Sequence, residues 1–226
     1  SKRTDYFFPK PMPAAYIPAL KYHFVTPIYD WFIRLTMPEM KVKNQLVQQA
    51  KLQAGEKILD FGCGTATLTL LIEEQCTNCT VIGLDTDTQI LAMAKKKLSQ
   101  KKSAITLLIY EGKTLPFPDC TFDKVLSSWV FHHLTTPQKI AAFKEINRVL
   151  KPKGELHIAD WGKAETKLMK FLFFVVQVFD NFYTTNDNVK GKLPQLIQKG
   201  GFRQAEVLGN QSTLFGTLSY FKAIKA

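Results

Sequence analysis

Residues 58–65 read Ile58-Leu59-Asp60-Phe61-Gly62-Cys63-Gly64-Thr65. An apolar run that ends on two glycines, with a helical pattern behind it, is a buried strand turning sharply into a helix. Glycines at such a turn let backbone approach a ligand, and the N–H groups opening the helix point at it. Asp60 stands inside the strand, two residues before the first glycine. A dinucleotide-binding fingerprint has no role for an acid there, and its third glycine would fall at position 67, which is Thr67.

Outward from this stretch, strands and helices alternate. Lys57–Phe61 reads as a strand, Ala66–Gln75 as a helix, and Thr80–Leu84 as a second strand. A long helix follows from about Asp87 to Ser99, then strands over Ala104–Tyr110 and Phe122–Ser128. Thr136 with Pro137 opens another helix that runs to Leu150. Lys151-Pro152-Lys153-Gly154 has a type I turn pattern and leads into a fifth strand, Glu155–Asp160. Such alternation predicts βαβ units in a mostly parallel sheet with helices on both faces. In the tail, Val189–Lys199 reads as a helix. Phe202–Leu208 and Leu214–Ala223 read as strands too close in sequence for a parallel crossover, so they should form an antiparallel hairpin.

Ahead of this core, residues 1–20 are rich in proline and aromatics and read as an extended arm. Val25–Met37 and Met40–Ala54 show helical spacing, the second with Leu46, Val47 and Ala50 inward and Gly55 ending it. Pro9, Pro11, Pro13 and Pro18 interrupt the region where a secretory leader would carry its apolar core, so no leader is expected. The longest apolar run, Phe171–Val176, is far short of the ~18 residues of a membrane span.

Among 226 residues, 30 Lys and Arg stand against 19 acids, a net charge of +11. Such an excess attracts polyanions and anionic lipid. Its one dense run, Lys95, Lys96, Lys97, Lys101 and Lys102, is most simply the solvated face of a helix. Four cysteines make no disulfide framework. Cys76 and Cys79 form a C-x-x-C without a second pair to complete a zinc site, so no metal is expected and a reducing, cytoplasmic setting is the default.

A second candidate stands at Asp85, which closes the second strand 23 residues beyond Gly62. An acid there can accept both hydroxyls of a ribose. The plainer reading is a helix-start acid, with Asp87 as the actual cap.

Taken in order, these motifs resemble a family. Asp60–Thr65, Asp85, Glu111-Gly112, Leu115-Pro116-Phe117-Pro118-Asp119, Phe122-Asp123-Lys124-Val125 and Leu150-Lys151-Pro152-Lys153-Gly154-Glu155 resemble the motifs of class I S-adenosylmethionine-dependent methyltransferases. The chain is most similar to the branch with the ubiquinone and menaquinone biosynthesis enzymes, over roughly residues 40–226. The resemblance implies an α/β, Rossmann-like sheet of seven strands, mostly parallel with the last antiparallel, covered by an N-terminal helical or extended lid. Residues 1–38 would be that arm and lid helix, and 39–226 the methyltransferase domain, with 161–188 a helical lid insertion.

The cofactor implied is S-adenosyl-L-methionine. Asp60 and Gly62, Cys63, Gly64 and Thr65 would surround its methionine part. Asp85 would hold the ribose and Thr86 the adenine, with Glu111 and Gly112 lining the adenine pocket and Ser128 touching the cofactor. Where the family often has glycine, this chain has Ala66, small and helix-favouring, which should be tolerated.

Sulfonium transfer asks mainly for positioning. His133, after the fourth strand, is the candidate base, ahead of His132; the alternative is that both pack locally or cap the next helix. Tyr29, Trp129 and Trp161 are candidate walls of an acceptor pocket, though Trp129 and Trp161 suit helix-to-sheet packing equally. The apolar segment Leu168–Tyr183 would close over it. The expected partner is a small apolar or aromatic acceptor, with no nucleic acid, and the charge also suits loose contact with an anionic membrane.

Two other functions compete. A nicotinamide-dependent oxidoreductase lacks support, since the third glycine is missing and Tyr6 and Lys10, the one Tyr-x-x-x-Lys pairing, lie upstream of the turn. An RNA methyltransferase suits the charge, but the fourth strand ends Ser127-Ser128-Trp129-Val130, unlike the Asn/Asp-Pro-Pro-Tyr of amino-methylating nucleic-acid enzymes. A non-catalytic binding module shares every cofactor motif and differs only in turnover.

Overall fold

The computed structural model describes residues 38–163, 182–213 and 216–226. The arm before them, with Tyr29 and the helix expected over 25–37, lies outside the described residues, as does most of the 161–188 insertion.

Helix α1 (Glu39–Ala50) leads into strand β1 (Lys57–Phe61) and helix α2 (Thr67–Gln75). Strand β2 (Thr80–Asp85), helix α3 (Thr88–Lys101), strand β3 (Thr106–Ile109) and strand β4 (Phe122–Ser128) follow. After one 3-10 turn (Phe131–His133) come helix α4 (Thr136–Val149) and strand β5 (Leu150–Trp161). Helices α5 (Phe182–Val189) and α6 (Leu193–Lys199) precede strands β6 (Gln204–Ser212) and β7 (Thr217–Ile224).

These strands form one seven-stranded sheet in the order β3-β2-β1-β4-β5-β7-β6. The first five are parallel, and β7 runs antiparallel to both β5 and β6, so the terminal hairpin stands as the tail spacing predicts. The chain builds outward from β1 to β3 and then returns to β4 on the other side of β1. That reversal opens a crevice at the carboxyl ends of β1 and β4, where open α/β sheets bind ligands.

Alternation along each strand sends neighbours to opposite faces. Ile58, Leu126 and Ala159 pack with α1 and α2 through Leu46, Val47, Leu68 and Ile72. Leu59, Val125 and Ile158 face the other way, against Phe143 and Ile146 of α4 and Leu196 and Ile197 of α6. The basic run lies on the outer side of α3, with Lys95, Lys96, Lys101 and Lys102 exposed.

Several boundaries move for local reasons. Helix α1 ends a turn early, where Lys51 adopts a left-handed conformation (φ 47°) and its N–H turns back to Gln48, so Gly55 belongs to the loop before β1. The N-cap of α4 is Thr135, one residue ahead of Thr136, because the Gln138 side chain accepts the Thr135 N–H at 2.8 Å in a capping box. The helix expected over 189–199 begins only at Leu193, because α5 ends at Val189 and the chain turns through Gly191, whose φ is +67°. Residues 151–154 form an irregularity inside β5: Phe122 faces Leu150 and Lys124 faces Glu155 across the bulge. Cys76 and Cys79 are paired as a disulfide after α2.

Helix α5 is tied to the domain by a buried ion pair. Lys139 of α4 is fully buried, donates to the Thr184 carbonyl at 2.6 Å and lies 3.6 Å from Asp187, which also accepts from the Thr136 hydroxyl. Burial pulls the Lys139 pKa down and Asp187, then Asp160, pull it back. Lys139→Met should cost about 3 kcal/mol by urea unfolding, since it strands Asp187 without its cation. Lys139→Met with Asp187→Leu should recover most of that loss, and an unchanged deficit in the double variant would show the pair is not the cause.

Candidate active site at the carboxyl ends of the strands

The turn after β1 hooks onto the end of β2. Gly62 and Cys63 both donate to the Leu84 carbonyl, at 2.8 and 2.9 Å. Gly62 has φ +75°, and a Cβ there would lie 2.2 Å from a Val130 methyl, so no larger residue fits. Gly64 has φ +53°, and open space surrounds the place a Cβ would take. Ala66 has φ 61° and is the N-cap of α2, outside its regular turns, so its helix propensity is not what this position tests.

Asp85 does two things at once. Its Oδ2 accepts the Gly64 N–H at 2.8 Å and its Oδ1 the Asp87 N–H at 3.0 Å. Asp87 caps α3 by accepting from Gln89 and Ile90, as the plainer reading of this stretch has it. The Asp85 carboxylate is therefore held in place by backbone, and each oxygen keeps a second lone pair. Thr86 is exposed beside it. The Tyr110 N–H donates to the Asp85 carbonyl at 2.9 Å, which brings exposed Glu111 and Gly112 to the same rim.

Asp60 is completely buried beneath this turn. Its Oδ2 accepts the Thr69 hydroxyl at 2.7 Å, while its Oδ1 has no partner. Burial pushes its carboxyl up to about 6, against the Thr69 hydrogen bond and the charge of Lys43. Lys43 of α1 is itself nearly buried and pairs with Glu39 at 2.6 Å. Cys63, beside Asp60, keeps its proton: burial and then the charges of Asp60 and Asp85 push its thiol up.

On the other side of the crevice, Ser128 ends β4 and is buried. Trp129 follows with φ 55°, a conformation bulky residues rarely adopt, and its N–H donates to the Ala159 carbonyl at 2.9 Å. Trp161 is buried at the end of β5.

Fully buried Asp160 joins the two strand ends. Its Oδ2 accepts the N–H groups of Phe131 and His132, at 2.7 and 3.3 Å, and its Oδ1 that of Trp161 at 2.7 Å. The His132 Nδ1 lies 2.7 Å from the same Oδ1. Burial raises the Asp160 pKa, but attraction to His132 and these hydrogen bonds outweigh it and hold the carboxyl below its ordinary value.

His132 thus points inward and is structural, whereas His133 is exposed, with the two rings 3.9 Å apart. Desolvation and then repulsion from His132 lower the His133 pKa, against the pull of Asp160. Solvent screens that shift, which leaves its direction: the imidazole is neutral at physiological pH.

The structure brings Asp60, Gly62, Cys63, Gly64, Thr65, Asp85, Thr86, Glu111, Gly112, Ser128, Trp129, His133 and Trp161 to one end of the sheet. Two residues of this region are not singled out by the sequence. Asp160 carried a usable signal, an acid ending an apolar strand as Asp85 does. Lys43 carried none, since it sits in an ordinary amphipathic helix.

Residues 58–154 match the methyltransferase domain family. The chain is 35% identical over 138 residues to a demethylmenaquinone methyltransferase of Symbiobacterium thermophilum, covering 60% of this chain and 54% of that one. It is 30% identical over 155 residues to the chloroplastic 2-phytyl-1,4-beta-naphthoquinone methyltransferase of Arabidopsis thaliana, covering 66% and 59%. The chain therefore spans less than two thirds of either relative. A SAM-dependent methyltransferase from Aquifex aeolicus shares the fold, with a TM-score of 0.65 at 19% identity over 87% of this chain and 98% of that one.

With this sheet order, these motifs and the match over residues 58–154, the chain is similar to the class I S-adenosylmethionine-dependent methyltransferases. The residues present fit that cofactor: an orphaned buried carboxylate oxygen on Asp60 suits a cation, and the backbone-held Asp85 carboxylate suits two hydroxyls.

Asp60 carries a stability cost that tests this fit. Its folded pKa near 6 lies above its unfolded value of about 3.9, so its contribution favours the fold at low pH and is lost as pH rises from about 4 through 6. Asp60→Asn should therefore raise stability without ligand at pH 8, by roughly 3 kcal/mol at most, and flatten that decline, while weakening cofactor binding. A variant less stable at pH 8, measured by urea unfolding, would contradict the assignment.

Proposed function

We propose that this protein transfers the methyl group of S-adenosylmethionine to a small apolar ring acceptor of the naphthoquinone type. The observation that carries the reading is the Gly62–Gly64 turn pinned to Asp85 above the orphaned Asp60 carboxylate, within a chain whose relatives are named for demethylmenaquinone and phytyl-naphthoquinone. The cofactor, when bound, supplies an electrophilic methyl group on a sulfonium.

The chain's own residues do the rest. The Asp85 carboxylate accepts the ribose hydroxyls with its spare lone pairs, while Thr86, Glu111 and Gly112 border the adenine. Asp60, Gly62, Cys63, Gly64 and Thr65 surround the methionine end, with Ser128 alongside, and the Asp60 charge favours a cation there. Trp129 and Trp161 wall the acceptor, and Tyr29 adds to that wall from the arm. Residues 1–38 and 161–188 act as the lid that keeps water out.

His133 is the proposed base, taking a proton from an acidic hydroxyl or ring C–H. Its lowered pKa keeps the ring unprotonated, so its lone pair is available to an acceptor with a labile proton.

A lipid-soluble acceptor would be met at a membrane. No helix among the described residues is long and apolar enough to cross one. The net charge of +11 instead suits peripheral contact with an anionic leaflet from the cytoplasm.

Asp85→Ala should weaken cofactor binding by roughly 2–4 kcal/mol, and Asp85→Asn by less, because the amide oxygen still accepts one hydrogen bond. Calorimetry checks both, and an unchanged Kd for Asp85→Ala would sink the ribose assignment. Incubation with methyl-labelled cofactor should label a demethylated naphthoquinol and leave RNA unlabelled. Labelling of RNA alone, falling steeply with salt, would reverse the reading.

A further inference from the structure

Among the described residues, three buried side-chain polar atoms have no hydrogen-bond partner: Asp60 Oδ1, Trp129 Nε1 and Asn188 Oδ1. Folded proteins leave few such groups, and each calls for a reason. All three stand at the carboxyl end of the sheet. The proposed cofactor site accounts for Asp60; the other two are a donor and an acceptor at the ends of β4 and β5.

Each is held in place. Trp129 is fixed between Ser128 and the 3-10 turn at φ 55°, and its backbone N–H bonds the Ala159 carbonyl on β5. Strain of this kind persists where the surroundings over-determine it, and it clusters at ligand sites. Two residues further along β5, the Trp161 carbonyl accepts the Asn188 Nδ2 at 3.0 Å. That bond fixes the amide, because only its nitrogen can face a carbonyl, and so makes Oδ1 the atom left over. Asn188 is fully buried, and α5 is locked down by the Lys139–Asp187 pair one residue away.

We propose that Trp129 and Asn188 recognise the methyl acceptor by a complementary pair of hydrogen bonds. The Trp129 indole N–H donates to an oxygen on the acceptor ring, and the Asn188 Oδ1 accepts from a ring hydroxyl. The inference rests on the small-ring reading above and narrows it to rings that offer both an accepting oxygen and a hydroxyl. A site that hydrogen-bonds a substrate rejects an analogue lacking the partner, since its own buried group is then left unpaired.

The test is steady-state kinetics of the full chain on three naphthalene-ring acceptors: one with both groups, one without the accepting oxygen, and one with the hydroxyl capped as an ether. Trp129→Phe keeps the ring and removes only the N–H. It should raise the KM for the first acceptor about fivefold, with cofactor Kd unchanged, and have no effect on the KM for the analogue without the accepting oxygen. Asn188→Leu should discriminate the same way against the hydroxyl, with cofactor Kd reporting whether it folds. A Trp129→Phe enzyme whose KM is unchanged, or is raised equally for every analogue, overturns the proposal while leaving ring methylation standing. A wild-type chain that binds cofactor and methylates none of the rings overturns the small-ring reading and this inference with it.

Discussion

The carbonyl of Leu84 and the carboxylate of Asp85, at the end of β2, receive three consecutive N–H groups from the turn after β1. Gly62 and Cys63 bond the carbonyl and Gly64 bonds the carboxylate. Each would otherwise be an unpaired donor at the mouth of the sheet. The turn can reach those acceptors only by entering positive φ and passing within a Cβ's width of Val130. That hook extends the β1–β2 ladder past Phe61 and sets the direction in which α2 leaves.

Asp160 plays the matching part on the other side of the crevice. One buried carboxylate binds the N–H groups of Phe131, His132 and Trp161 and the His132 ring, so it ties the ends of β4 and β5 together. It stays ionised despite burial because its partners outweigh desolvation. Asp60, equally buried, has one hydroxyl partner and its charge is costly. The contrast separates a carboxylate whose partners all lie within the fold from one that keeps an oxygen without a partner.

Much of this was legible in residue order. The strand from Lys57 to Phe61 and the fourth strand from Phe122 to Ser128 have the bounds that apolar runs and turn residues set. Asp85 and the glycine turn reach one site because parallel strands bring their carboxyl ends together. The differences lie where one local preference lost to another or to the path of the chain. Thr136 has a good cap side chain, but Thr135 takes the position by bonding Gln138. Ala66 looked like a helix former and is instead a left-handed cap, because the chain leaves Gly64 at a fixed angle.

By itself the sequence determined the alternating architecture, the antiparallel tail and the resemblance to methyltransferases, since periodicity, turn chemistry and motif order are properties of short segments. It also determined which end of the sheet gathers the candidate residues. Only the tertiary structure decided that His132 turns inward to Asp160 while His133 is left outside, and that Lys43 sits near a buried acid. The same holds for Trp129 and Asn188, which each keep an unpaired polar atom. Those outcomes depend on strands and helices far apart in the chain arriving side by side, and no local pattern records which buried group will find a partner there.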